Sequence, residues 1–193
     1  MKYLTFFTSL LLCVCVLCAF VPTKANAEIY ESTVRLHVIA SSDDEKDQAA
    51  KLAVRDAALE KINELISGCK NAAETENAIA ENLDTLCDIA NKTLSGLGCD
   101  DRCEAVLSHE YYPEKQYDEV FLPAGVYPSL QLKIGKADGH NWWCVLFPQL
   151  SLGAATKEVL IRTGFSPDQI DVLTGGDRVD YKLKFKIWEI FRK

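Results

Sequence analysis

The hydrophobic positions of this chain follow two different periods, and the change between them marks its structural elements. Between Val34 and Ala40, apolar residues occupy every second position and Arg35 and His37 lie between them, a pattern typical of a β-strand. From Ser42 to Ile66 the apolar positions recur at intervals of three, four or seven residues, as on one face of an α-helix. This part of the chain therefore predicts a strand followed by a helix.

Capping residues predict where this helix begins and ends. Ser42 and Glu45 have the spacing of a capping box, in which both side chains bond to backbone N–H groups at the start of a helix. Gly68 suits the left-handed residue that commonly follows a helix. A second helical pattern runs from about Ala72 to Leu94, so we expect the two helices to pack against each other as an antiparallel hairpin.

The second half of the chain is rich in short β-type runs separated by glycine and proline. The runs are Glu104 to Tyr112, Glu119 to Leu122, Ser129 to Ile134 and Trp142 to Phe147. Such runs predict an antiparallel meander. Asp180 to Arg192 fits either a strand or a helix, and we favour the helix. The predicted fold class is α+β, a single domain over residues 28–193 in which an antiparallel or mixed β-sheet packs against a two-helix hairpin.

Residues 1–27 have the pattern of a secretory signal peptide. Lys2 supplies a positive end, and Leu4 to Val21 forms a charge-free apolar run. Ala25 and Ala27 are the small residues that a signal peptidase requires. The alternative is an uncleaved anchor, because about 18 apolar residues can just span the hydrocarbon core of a membrane. We expect cleavage and export of the chain.

The composition after residue 27 excludes several classes of function. Without Lys2 and Lys24 the chain keeps 19 basic against 28 acidic residues, which gives a net charge near −9. This balance leaves no basic stripe for binding nucleic acid. None of the HExxH, GxSxG, P-loop or GxGxxG patterns occurs in the sequence. We therefore expect no metal, no cofactor, no small-molecule substrate and no nucleic-acid partner.

Five cysteines follow residue 27, an odd number for a protein in an oxidising compartment. They are Cys69, Cys87, Cys99, Cys103 and Cys144. Their spacing matches no zinc signature, because Cys99 and Cys103 form the only close pair. We favour a disulfide between Cys99 and Cys103, or between Cys87 and one of them. At least one thiol then stays free or pairs with another molecule.

Cys144 lies in the most unusual local sequence of the protein, GHNWWCVLFP, and is a candidate nucleophile. A cysteine nucleophile needs a base such as histidine within hydrogen-bond reach. On a strand, His140 and Cys144 lie about 13 Å apart, which excludes His140 as that base. His37 is a candidate base if its strand is a neighbour. The alternative is a structural or disulfide-bonded cysteine within an apolar strand.

Trp142 and Trp143 are adjacent, so they point to opposite faces of the predicted strand. Only one of them can enter the core of a sheet that is buried on one face. The other is a candidate anchor for a protein partner, together with His37, His140 and Asn141. A tryptophan covered by a loop or helix explains the pair equally well.

Three parts of the sequence together resemble the stage II sporulation protein R family. They are RLHVIASSD at residues 35–43 with the following helix (KLAVRD, residues 51–56), LPAGVY at residues 122–127, and GHNWWCVLFP at residues 139–148. The resemblance covers about Val34 to Pro148, and NWWCVLFP is its most specific part. This protein departs from the family at Ser41, where asparagine is typical, and at Ser151, where the family tends to have a second cysteine. A local disulfide from Cys144 to that position cannot form here.

The resemblance implies a signalling protein of endospore-forming Bacillota. It implies that the protein is made in the forespore, is exported into the space between the two surrounding membranes, and activates a membrane-embedded aspartic protease of the mother cell. That protease then removes the pro-sequence of an early mother-cell sigma factor. On this interpretation the protein is a protease activator without catalytic residues. The alternative is a secreted cell-wall hydrolase or transpeptidase that uses Cys144 as its nucleophile.

Overall fold

The computed structural model of the protein describes residues 2–19, 24–117, 120–148 and 157–174. The helices in these ranges are α1 (Lys2–Ala19), α2 (Lys24–Glu31), α3 (Glu45–Ile66), α4 (Ala72–Ala80), α5 (Leu83–Gly96), α6 (Lys157–Arg162) and α7 (Pro167–Leu173). The strands are β1 (Val34–Ile39), β2 (Cys103–Tyr112), β3 (Lys115–Tyr117), β4 (Val120–Leu122), β5 (Gly125–Ile134) and β6 (Asn141–Phe147). The helix predicted over residues 180–192 lies outside the described residues.

Strands β2, β5, β1 and β6 form a four-stranded sheet in that order, and β3 and β4 form a separate pair. β1 is parallel to β5 and antiparallel to β6, whereas β2 is antiparallel to β5. The α+β class and the mixed sheet are confirmed, but the antiparallel meander is wrong because β1 lies between β5 and β6. All six residues of β1 are buried, and burial on both faces is typical of an interior strand.

The helical layer contains three helices instead of the predicted two. The backbone leaves α4 at Ala80 and enters α5 at Leu83. Between them, the side-chain amide of Asn82 donates to the carbonyl of Ala78 at 2.8 Å, and such a bond competes with regular helical hydrogen bonds. α3 contacts both α4 and α5. The predicted hairpin is therefore a layer of three helices.

Both ends of α3 differ from the prediction. The helix begins at Glu45, after Asp44, whose side chain makes no capping bond. The Ser42 hydroxyl accepts from the N–H of Asp44 at 3.1 Å and donates to an acidic side chain of the first helical turn at 2.6 Å. The capping box is therefore not formed. The expected left-handed conformation of Gly68 is also wrong, because Ser67 continues in the right-handed region and Gly68 has no positive φ.

Helices α1 and α2 occupy most of the segment predicted to be a signal peptide. α2 includes the predicted cleavage position after Ala27, and cleavage there stays a prediction. Further along α2, Ile29 is fully buried and the Tyr30 hydroxyl donates to the carbonyl of Ala124 at 2.9 Å. Among the described residues, no helix combines the length and the apolar content needed to cross a membrane.

The four-stranded sheet is covered on both faces. On one face, which we call the helix side, strand residues pack with α3, α4 and α5. This core includes Leu36, Val38, Val54, Leu86 and Leu132, all fully buried. On the other face, residues of α2, β4, α6 and α7 pack against the sheet in a second core that includes Ile29, Tyr112, Leu122, Tyr127, Val145, Leu160 and Ile170.

The turn after β1 packs against the turn between β5 and β6. The N–H of Gly139 donates to the carbonyl of Ala40 at 3.0 Å, and the N–H of Asp138 donates to the carbonyl of Ser41 at 3.4 Å. A Cβ atom at position 139 would collide with the backbone carbonyl group of Ser42, whose carbon would lie 2.6 Å away. The close approach of these two backbones therefore requires glycine at position 139.

Replacing Gly139 with alanine should lower the free energy of unfolding by about 1–3 kcal/mol, because the added methyl group overpacks against backbone. Gly96→Ala is the matched control, since nothing lies within 4 Å of a Cβ atom at that helical position. Urea unfolding followed by circular dichroism measures both variants. If the two variants are equally stable, the two turns do not approach as described.

Candidate functional site

Polar side chains are concentrated on the face of the sheet opposite the helix side, and we call this set the polar face. It consists of Arg35 and His37 on β1, Ser108, Glu110 and Tyr112 on β2, Ser129 and Gln131 on β5, and Trp143 on β6. Residues opposite each other on paired strands project from the same face. His37 lies opposite Gln131 and Trp143, and Arg35 lies opposite Ser129. The register of β1 therefore assembles the polar face.

His37 makes the best-defined contact of the polar face. Its Nδ1 donates to both carboxylate oxygens of Glu110, each at 2.9 Å. The residue is 5% exposed, and its Nε2 has no hydrogen-bond partner among the described residues. The rings of Trp143 and Tyr112 lie edge-on to the imidazole, with centroids 5.8 and 6.2 Å away. One ring nitrogen is thus held by a carboxylate while the other stays available.

Arg35 is a fully buried cation enclosed by tyrosine rings. Its Cζ lies 3.9 Å from the ring centroid of Tyr112 and 5.2 Å from that of Tyr127, and its Nη2 donates to the Tyr117 hydroxyl at 2.9 Å. Cation–π attraction offsets part of the cost of burying this charge. Burial raises the pKa of all three tyrosines. They stay neutral at physiological pH, so none of them is a counter-ion for Arg35.

The two adjacent tryptophans face opposite sides of β6, as predicted from their spacing. Trp143 packs in the polar face, whereas Trp142 packs on the helix side, where the Cζ of Arg55 lies 4.8 Å from its ring centroid. Both side chains are half-buried. Both faces of the sheet are covered, so the alternative of a covered tryptophan describes the pair.

His140 and Asn141 lie at the exposed start of β6. The backbone N–H of His140 donates to Asp43 at 2.6 Å, and its Nδ1 contacts the same carboxylate oxygen. These hydrogen bonds hold the pKa of Asp43 below its usual value. The carbonyl of His140 accepts from the Nζ of Lys51 at 2.9 Å, and burial lowers the pKa of Lys51. His140 thus ties the β5–β6 turn to α3, away from His37. Asn141 lies on the same face of β6 as Trp143.

Cys144 is buried on the helix side, opposite Leu36 of β1. Its Sγ donates to the carbonyl of Val145 at 3.6 Å. His37 projects from the other face of the sheet, so the structure does not bring this histidine to the sulfur. The candidate Cys144–His37 pair is therefore not assembled.

Cys87, Cys99 and Cys103 are free thiols in the structure. None of the three favoured disulfides is formed, although Cys87 and Cys103 are neighbours. The Sγ of Cys87 donates to the carbonyl of Cys103 at 3.1 Å. The side chain of Asn91 accepts from the N–H of Cys103 at 2.8 Å and donates to its carbonyl at 3.2 Å. The Cys103 backbone is therefore held by hydrogen bonds to the Asn91 side chain, and its thiol forms no disulfide.

Sequence patterns do not reveal several residues of the polar face, nor Tyr117, which bonds to Arg35. Glu110 and Tyr112 lie in a run that the sequence identifies only as β-type, and Tyr117 lies in β3, for which the sequence predicts no strand. A signal is present, because Ser108, Glu110 and Tyr112 occupy alternate positions of one strand. The side chains of the polar face can form hydrogen bonds and aromatic contacts. No cluster of three or more His, Cys, Asp or Glu in the described residues is placed to hold a metal ion.

With all cysteines reduced, iodoacetamide at pH 8 should label Cys103 at least roughly tenfold more slowly than Cys99. Cys103 is 4% exposed, and burial raises its pKa to about 12, so little thiolate forms. Peptide mass spectrometry over a time course measures both rates, and unfolding in urea should make them similar. Equal rates in the folded protein would contradict the buried position of Cys103.

Comparison with known proteins identifies relatives of this protein. The family model described as stage II sporulation protein R matches residues 30–157. The sequence is also 33% identical over 135 residues to a protein named stage II sporulation protein R from Bacillus subtilis (strain 168). That alignment covers 67% of this sequence and 60% of the relative. No solved structure gives a significant match. Because the family match includes all six strands and the three-helix layer, the chain belongs to the stage II sporulation protein R family.

Proposed function

We propose that this protein is an exported sporulation signal that activates a membrane-embedded aspartic protease of the mother cell. The protease then removes the pro-sequence of an early mother-cell sigma factor. The signal is made in the forespore and acts in the space between the two membranes around it. Family membership carries this proposal. The apolar segment within residues 1–27 supports export.

Activation requires only that the signal bind the active state of the protease more tightly than the inactive state. A ligand with this preference shifts the equilibrium by the ratio of its two affinities, and about 1.4 kcal/mol corresponds to a factor of ten. The signal needs no nucleophile for this task. A surface of hydrogen-bonding and aromatic groups is sufficient.

The rim of the polar face is the proposed contact surface. Asn141 is exposed, Trp143 is half-buried, and the Glu110 side chain keeps 27% exposure. Next to them, the Nε1 of Trp143 and the Nε2 of His37 have no hydrogen-bond partners among the described residues. Tryptophan beside polar groups is typical of the residues that dominate binding energy at interfaces. Of the predicted contact residues, Asn141 and Trp143 lie at this rim, whereas His37 is buried opposite Trp143.

Replacing Trp143 with alanine should reduce processing of the pro-sigma factor at least roughly tenfold in cells that co-express the membrane protease, because the contact loses its aromatic anchor. Trp142→Ala is the matched control. It removes the same side chain from the helix side of the same strand. The measurement is the ratio of mature to unprocessed sigma factor on immunoblots, at equal amounts of exported protein.

Asn141→Ala provides a second test of the same surface. Because Asn141 is exposed, its loss should leave the stability within about 0.5 kcal/mol while processing falls several-fold. Normal processing by both Trp143→Ala and Asn141→Ala would place the contact elsewhere. Loss of processing by Trp142→Ala alone would move the contact to the helix side.

A thiol-dependent hydrolase is the competing function, and no observation on the described residues favours it. If the protein is an activator, Cys144→Ser and Cys144→Ala should both support sigma-factor processing within about twofold of the wild type, because their stability cost stays in the ordinary range for single substitutions. Cells that lack the protein give the background. Loss of processing by both variants, at normal amounts of folded protein, would restore a chemical role for the thiol. No processing above background with the wild-type protein would refute the activator function.

A further inference from the structure

Among the described residues, the buried side-chain nitrogens and oxygens that lack a hydrogen-bond partner lie on β1 or next to it. The buried side-chain atoms without a hydrogen-bond partner there are Thr33 Oγ1, Arg35 Nε, Arg35 Nη1, His37 Nε2 and Trp143 Nε1. Buried polar groups are hydrogen-bonded in the great majority of native proteins, so a cluster of exceptions requires an explanation. A bound group that supplies the missing partners is one such explanation, and ordered water is the other.

The unpaired atoms lie on β1 or beside it. Arg35 and His37 are alternate residues of β1 and project from the same face, and Thr33 directly precedes the strand. Trp143 lies directly opposite His37 on β6. The centroid of the Tyr112 ring lies 3.9 Å from the Cζ of Arg35, 6.2 Å from the His37 ring and 5.9 Å from the Trp143 ring. The side chains of Arg35, His37 and Trp143 are therefore neighbours around one tyrosine.

These atoms consist mainly of donors. The free nitrogens of Arg35 and Trp143 donate and cannot accept. The Tyr117 hydroxyl accepts from Arg35 at 2.9 Å, which leaves its own hydrogen available to donate. The carboxylate of Glu110 is already bonded to His37 Nδ1. Because the Nδ1 of His37 donates to Glu110, the Nε2 of the neutral ring is an acceptor, and the Thr33 hydroxyl can donate or accept. The free donors of Arg35, Trp143 and Tyr117 outnumber these acceptors, and an acceptor-rich ligand would complement them.

The charge of the cluster is also uncompensated. Arg35 is fully buried and contacts tyrosine rings, and no carboxylate in the described residues pairs with it. The surrounding tyrosines are neutral because burial raises their pKa values. A buried cation is stabilised strongly by a hydrogen-bonded anion. An anion would therefore complement Arg35 in charge as well as in hydrogen bonding.

We infer that the donors of Arg35, Tyr117 and Trp143 form a binding site for a carboxylate group. A single guanidinium matches one negative charge, whereas a phosphate dianion would need further cations. The carboxylate belongs either to an acidic side chain or to the C-terminus of a peptide.

The small β3–β4 pair borders the site. It carries Tyr117 and forms its own two-stranded sheet, separate from the main one. Val120 and Leu122 of this pair are buried in the second core. This packing holds the pair that presents Tyr117 to Arg35.

The Nε–H signal of Arg35 in a ¹H–¹⁵N spectrum of the full-length protein reports this site directly. Acetate should shift it saturably, with half-saturation at roughly 1–10 mM, the range for a ligand of a few atoms. Chloride at equal ionic strength is the control for screening. N-acetylglycine and N-acetylaspartyl amide then distinguish a peptide C-terminus from an acidic side group, because the correct source should bind more tightly than acetate.

A thermal-shift measurement with Arg35→Met is the second readout. Methionine retains apolar volume without the charge, so this variant should fold. Saturating acetate should raise the Tm of the wild type by about 3 °C and leave that of Arg35→Met unchanged. Arg55→Met, on the helix side, should retain the full shift. This test is made on the purified protein, so its outcome is separate from that of the protease assay.

Three results would overturn the carboxylate site. The first is an Arg35 signal that responds to acetate no more than to chloride, which would mean that water alone fills the cluster. The second is an equal rise in Tm for the wild type and Arg35→Met. The third is tighter binding of phosphate than of any carboxylate.

Discussion

Hydrogen bonding of β1 on both of its edges is the constraint on which the remaining structure depends. β5 pairs with it on one side and β6 on the other. As a result, alternate side chains of β1 enter two different environments. Leu36 and Val38 enter the helix-side core, whereas Arg35 and His37 enter the polar face. A register shift of one residue would exchange the two sets, so the core and the candidate binding surface are specified by the same pairing.

The segments that resemble the family are the ones that hold this arrangement in place. β1 pairs with β6, which carries the two tryptophans. In the LPAG segment, the carbonyl of Pro123 accepts from the Tyr127 hydroxyl, and the ring of Tyr127 faces Arg35. Lys51 on α3 donates to the carbonyl of His140 and fixes the turn before β6. The local sequences that identify the family are thus distant in sequence but packed around β1 and the turn before β6.

The two proposals concern different depths of that face. Contact with a receptor protease uses the rim, where Asn141 is exposed and Trp143 is half-buried. The carboxylate site uses the fully buried Arg35 and its unpaired nitrogens. His37 lies between the two, bonded to Glu110 through one nitrogen. Trp143 belongs to both surfaces, so a partner that presents an acidic group could engage both depths.

Local periodicity alone determined the α+β class, the position of β1, the presence of a helix after it and the opposite orientations of Trp142 and Trp143. These features depend on residues close in sequence, whose side-chain directions follow from helix and strand geometry. The break in the second helix was not predicted, because it depends on one side-chain hydrogen bond of Asn82 that the apolar periodicity does not reveal. The strand order, the burial of both tryptophans and the contacts of the polar face were decided by tertiary structure. Glu110 lies 73 residues from His37, and Tyr117 lies 82 residues from Arg35. No sequence pattern encodes such pairs, because only the insertion of β1 between β5 and β6 brings them together.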